Sequence, residues 1–127
     1  MHSASSALAL VLALLTAPAF PQERTASVRM LVQSSPLAGF RYHRAAELWH
    51  DLRVGDALEL ERERENPHDA AAVSVSWRGS KLGYVPRREN GAIAWALDRG
   101  ERLHARISRL ADHPNPARRL EFEVFIE

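Results

Sequence analysis

From Leu58 to Arg87 the chain reads LELERERENPHDAAAVSVSWRGSKLGYVPR, and apolar side chains recur on alternate positions: Leu58 and Leu60, then Val73, Val75 and Trp77, then Leu82 and Tyr84. A period of two places such residues on one face of a pleated strand, so three half-buried strands are predicted. The breaks between them are chemically specified. Asn66-Pro67-His68-Asp69 reads as a turn, because the proline disfavours helix at Asn66 and the Asp carboxylate can bond the backbone further on. Arg78-Gly79-Ser80 closes the next hairpin. Upstream, Val28 to Gln33 alternates as a first strand, Ser34-Ser35-Pro36 reads as a turn, and Gly39 to His43 as another extended piece. Downstream, Leu103 to Leu110 and Leu120 to Ile126 alternate as strands on either side of a proline-bearing loop, Asp112 to Arg118.

Two segments change period. Ala45, Leu48, Trp49 and Leu52 have helix-face spacing and predict one or two turns, stopped before Gly55. Asn90 to Arg99 places Ile93, Leu97 and either Ala94 or Ala96 on one face, with Trp95 on the flank, and Gly100 ends it. The expectation is a mainly β domain with one or two short helices: a small barrel or strongly bent sheet of about six strands.

The N-terminus stands apart. Ala7 to Leu15 is an apolar run, ALALVLALL, followed by Thr16-Ala17-Pro18-Ala19. It is too short to span a bilayer and reads as a secretory signal peptide over residues 1–19, cleaved after Ala19, although MHSASS supplies no Lys or Arg. A linker over 20–27 and a domain over 28–127 would follow. A periplasmic or secreted location is therefore expected, or a cytoplasmic one if the leader does not function.

Composition narrows the chemistry. Cysteine is absent, which excludes a lipoprotein anchor, a disulfide framework, a Cys-based zinc site and a thiol nucleophile. The formal charge is only +1, so any nucleic-acid site must be local rather than a global basic excess. The alternating charges of ELERERE read as a solubilising outer face, with a partner-binding stripe as the alternative. Six histidines are present, but no HExxH or His-x-His pair beside a carboxylate, so no metal and no cofactor is expected. No phosphate-cradling GxxxxGK[ST] and no Gly-x-Ser-x-Gly elbow occurs, and no enzyme is expected.

Four blocks in order carry a resemblance: AGFRYH (Ala38 to His43), VGDALELERERENPHDAAAVSV (Val54 to Val75), KLGYVPRREN (Lys81 to Asn90) and the apolar strand after Arg119. Over roughly ninety residues they resemble the HIRAN domain, a nucleic-acid-binding module found in some Swi/Snf-type DNA translocases and as free-standing bacterial proteins. The resemblance implies an OB-like barrel and a non-catalytic role, any motor activity belonging to fused domains. In eukaryotic HIRAN domains the ligand is the free 3′ end of single-stranded DNA.

Carried over by position, Arg41 and Tyr42 match the family's Arg-Tyr pair, and Asp69 matches the acid of its Asn-Pro-Tyr-Asp turn. His68 replaces that turn's tyrosine. Tyr84 follows Gly83 where the translocase version has His, and Arg87 or Arg88 stands near its Lys; either Phe122 or Phe125 would be a further stacking residue. An acid suits end recognition, since a terminal hydroxyl can donate to a carboxylate whereas a terminal phosphate is repelled. Each residue also has a plainer reading: Asp69 as a turn residue, Tyr42 and Tyr84 as core-edge aromatics, Arg41 as half of an ion pair. At the level of function, the alternative is an exported module that reuses the barrel to bind a protein or glycan, which His68 and the near-neutral charge favour.

Overall fold

The computed structural model describes residues 28–127; the expected signal peptide and linker lie outside the described residues. Six antiparallel strands, β1 (Met30–Pro36), β2 (Ala57–Arg62), β3 (Val73–Trp77), β4 (Ser80–Tyr84), β5 (Leu103–Leu110) and β6 (Leu120–Ile126), form a sheet in the order β1-β6-β5-β2-β3-β4. Helices are few and short: α1 (Ala45–Leu48) and α2 (Gly91–Asp98), with four single 3-10 turns. The fold is mainly β and OB-like, as the periodicity and the resemblance imply.

The sheet is bent until its edges approach, and one bridge joins them. Just past β1, Ala38 exchanges both backbone hydrogen bonds with Tyr84 at the end of β4, each 2.9 Å. Glycine is required opposite that bridge: a Cβ on Gly83 would lie 2.2 Å from the Ala38 carbonyl oxygen. The bend wraps a core in which Val73, Val75, Leu82, Ile93, Ile107 and Phe122 have no exposed surface. These are the alternating positions of the strands plus the inward face of α2, so burial follows the period of two. The β3–β4 hairpin turns through Arg78 and Gly79, both at positive φ (47° and 80°), the backbone twist that fits a two-residue loop to its strands.

Two local expectations are corrected. Ser34-Ser35-Pro36 is not a turn; it continues β1, pairing with Glu121 to Glu123 of β6. Pro36 is tolerated because β1 is an edge strand and the proline ends it. Gly39 to His43 is not extended either. Gly39 adopts a left-handed conformation (φ 78°), the Tyr42 N–H donates to its carbonyl at 2.9 Å, and Phe40–Tyr42 forms a 3-10 turn. That turn buries Phe40 edge-on against Trp49, ring centres 5.7 Å apart, and leaves Tyr42 outside.

Candidate nucleic-acid interface

Where the edges meet, the sheet leaves a pocket of about 580 Å³ lined by Ala38, Tyr42, His43, Asn66, His68, Asp69, Ala72, Tyr84, Val85, Arg87 and Asn90. Three stretches distant in sequence supply them: the residues around the 3-10 turn after Gly39, the Asn66–Asp69 turn with Ala72, and the run from the end of β4 to Asn90 at the start of α2. The Ala38–Tyr84 bridge holds the first and third together.

The floor is an organised hydrogen-bond system. Asp69 Oδ1 accepts from the Ala71 N–H (2.9 Å), and Oδ2 accepts from Asn90 Nδ2 (2.7 Å). The Ala71 N–H, then the Asn90 amide and the charges of Arg87 and Arg62, outweigh burial and hold the Asp69 carboxyl below its ordinary range. It is therefore ionised at neutral pH. Asn66 shapes the same turn, its Oδ1 accepting from the His68 N–H at 2.9 Å.

A second network fixes the wall. Tyr84 donates its hydroxyl to Glu63 Oε1 (2.8 Å), and Lys81 Nζ donates to Glu63 Oε2 (2.6 Å) and to the Tyr84 oxygen (3.1 Å). Asn66 Nδ2 also donates to Glu63, at 3.2 Å. Burial alone would raise the Glu63 pKa, but these bonds prevail and lower it; the Glu63 bond raises that of Lys81. His43 stands edge-on to Tyr84, ring centres 5.3 Å apart, and burial followed by the Lys81 charge depresses its pKa, keeping the imidazole neutral.

The charge run on β2 thus departs from the expected solvent face. Glu63, just past β2, holds the pocket wall, and Arg62 reaches the Ala70 and Ala72 carbonyls (3.1 and 2.9 Å) and Asp98 (3.0 Å), anchoring the segment that follows Asp69. Glu59 and Glu61 do face water.

Five of the six residues singled out from the sequence, Tyr42, His68, Asp69, Tyr84 and Arg87, line this one pocket. Arg41 does not. It lines an adjoining cleft of about 250 Å³ with Asn115, Pro116 and Ala117, on the other side of Tyr42, which borders both. Neither phenylalanine considered for stacking reaches the pocket: Phe122 is core, and Phe125 lies under the Arg106 guanidinium, 4.5 Å from its ring centre. Sequence reasoning missed Asn66, Asn90 and His43 as lining residues. Asn66 and Asn90 both lie inside the quoted blocks, but an asparagine beside a proline or before a helix reads first as turn chemistry. Among the described residues no group of three or more His, Cys, Asp or Glu is placed to hold a metal, and no helix is long and apolar enough to cross a membrane.

A bent six-stranded sheet with an acid-floored, aromatic-rimmed pocket at its joined edges defines a small binding domain. The HIRAN domain family model matches residues 30–127, and the chain belongs to that family of nucleic-acid-binding, non-catalytic modules. A crystal structure of a protein from Lactobacillus plantarum is similar at 31% identity, covering 78% of this chain and 95% of that one, with a TM-score of 0.68. The HIRAN domain of human HLTF shares the fold at 17% identity, covering 77% and 78% of the two chains, with a TM-score of 0.59. No relative among curated protein sequences matches the chain.

Proposed function

We propose that this protein captures the free 3′-hydroxyl end of a single nucleic-acid strand, with single-stranded DNA as the ligand the family resemblance implies. One observation carries the reading: an ionised carboxylate, two exposed aromatic rings and an exposed arginine whose side chain makes no hydrogen bond to the described residues meet in a single pocket of about 580 Å³. The terminal hydroxyl donates to Asp69, whose oxygens each keep acceptor capacity beyond their bonds to Ala71 and Asn90. A terminal phosphate at the same place meets a negative charge and is repelled. Tyr42, 82% exposed, and His68 offer ring faces to the last bases, and Arg87 offers charge to a backbone phosphate.

Stacking contributes about 1–3 kcal/mol per base, so two bases supply roughly 2–6 kcal/mol. Millimolar to micromolar binding corresponds to about 4–8 kcal/mol, so modest, salt-sensitive affinity is expected. Export through the N-terminal leader belongs to the same proposal and would confine the encounter to nucleic acid outside the cytoplasm. The decisive titration uses short single-stranded DNA ending in 3′-hydroxyl or in 3′-phosphate against the purified protein. Preference for the hydroxyl end, lost in Asp69→Ala, supports end capture; equal binding of both ends sinks it.

A further inference from the structure

Asn90 is 4% exposed yet lines the pocket. Its nitrogen is committed to Asp69 Oδ2 at 2.7 Å, and that bond fixes which way the amide faces, since a carboxylate accepts and only the NH₂ end can donate to it. Oδ1 is thereby the polar atom Asn90 has left. It accepts no hydrogen bond from the described residues. It is not sealed in either, because among the described residues His104 Nε2 alone is a buried side-chain polar atom without a partner. Beside the carboxylate, Asn90 therefore supplies the pocket with a second, neutral acceptor that has no protein partner among the described residues.

Two neighbouring acceptors match a ligand with two neighbouring donors. A 2′-deoxyribose end offers one hydroxyl. A ribose end offers two on adjacent carbons and on the same face of the ring, and the extra 2′-hydroxyl is the group by which proteins tell RNA from DNA. Pairing an acid with a ribose hydroxyl is established chemistry in nucleotide sites. Stacking on Tyr42 and His68 is indifferent to the 2′ position, so discrimination falls to the floor. Neutral glycans also carry vicinal diols, but the arginine and the exposed ring at this rim suit a phosphodiester and a base.

Resting on the end-capture reading, we infer that the sugar this pocket fits best is a terminal ribose, its 2′,3′-diol shared between Asp69 and Asn90, so that a strand ending in a ribonucleotide binds more tightly than one ending in a deoxyribonucleotide.

The test needs only DNA oligonucleotides identical except at the last sugar: 2′-hydroxyl, 2′-hydrogen, 2′-fluoro, and a 3′-phosphate control, titrated into the purified protein. The ribo end should bind about fivefold more tightly than the deoxy end, the scale of one added hydrogen bond. The 2′-fluoro end, which keeps a ribose-like pucker without a donor, should bind like the deoxy end. In Asn90→Ala the ribo advantage should vanish while the hydroxyl ends still bind better than the phosphate end. If that variant does not fold, the ligand series on the unaltered protein decides alone. Equal binding of ribo and deoxy ends, with the phosphate end still weaker, overturns the ribose inference and leaves end capture standing. Indifference to the 3′-phosphate overturns both. Binding of a neutral vicinal-diol oligosaccharide with none of the oligonucleotides would overturn both and reassign the site to a glycan.

Discussion

The floor and the rim of the pocket are built on opposite plans. On the floor and the wall behind it, the Asp69 carboxylate, the Asn90 amide nitrogen and the Tyr84 hydroxyl are engaged in protein hydrogen bonds of 2.7–3.1 Å, backed by Glu63 and Lys81. On the rim, Tyr42, His68 and Arg87 are exposed, and their side chains make no hydrogen bond to any described residue. A pre-bonded group keeps its geometry before the ligand arrives, so the floor is suited to selectivity: it recognises a fixed arrangement of donors at little ordering cost. An unbonded group must be ordered on binding, yet brings ring area and charge whatever the base, so the rim is suited to affinity. Substitutions on the floor should therefore cost fold and selectivity together, and those on the rim should cost affinity alone.

The sharpest way to break this division is Asp69→Ala. It leaves the Ala71 N–H and the Asn90 amide without their acceptor, so we expect a stability loss of about 1–3 kcal/mol in urea unfolding. Binding of a 3′-hydroxyl end should fall by about tenfold or more, the scale of a charge-assisted hydrogen bond. An unchanged unfolding midpoint would show the floor to be no more structural than the rim.

Tyr42→Ala tests the other side. With 82% of its surface exposed, Tyr42 supports little of the fold, and the midpoint should stay within about 0.5 kcal/mol. Binding should weaken by about 1–3 kcal/mol, one stacked base, equally for ribo and deoxy ends. A clear fall in stability would mean that the ring packs the 3-10 turn rather than the ligand.

Smaller effects separate the two arginines. Arg87 lines the pocket beside Asp69, whereas Arg41 lines the cleft beyond Tyr42. Arg87→Ala should reduce the slope of log affinity against log salt by about one, the signature of a lost phosphate contact. Arg41→Ala should change the slope less for an oligonucleotide of two or three residues than for a longer one that reaches the cleft. Identical behaviour with both lengths would place the two arginines on the same part of the strand.

How much of this was legible in the sequence follows the same division. The strands were readable because Val73, Val75 and Leu82 each obey the period of two and are fully buried. Five rim and floor residues were readable because their blocks resemble a family. Ser34 to Pro36 was misread because proline signals a turn wherever the strand's place in the sheet is unknown, and an edge position removes the penalty. The extended reading of Gly39 to His43 failed because a left-handed glycine is conformation rather than composition. Glu63 and Asn90 were unreadable as site residues for a further reason. Their roles exist only through partners 18 and 21 residues away, Lys81 and Asp69, and those pairs form only once the sheet has bent.

The finest distinction between floor and rim is electrostatic, and pH reads it. Asp69 and Glu63 both have folded pKa values below their ordinary ones. Such a group adds stability that is fully present above its unfolded pKa and is lost as pH falls through the folded value. The floor should therefore loosen on acidification below about pH 4, where free carboxyls protonate, while the contribution of these two carboxylates stays constant above that window. Asp69→Asn keeps an acceptor but removes the titration, so its stability should fall less steeply over the same acid range. Because the carboxylate is part-exposed and screened, the difference between the two profiles should be about 1 kcal/mol or less. Urea midpoints of both proteins, followed from neutral pH into that range, decide it. Converging profiles at low pH locate an ionised floor in the folded protein; parallel profiles would show that the Asp69 charge adds nothing, and that only hydrogen-bond geometry distinguishes floor from rim.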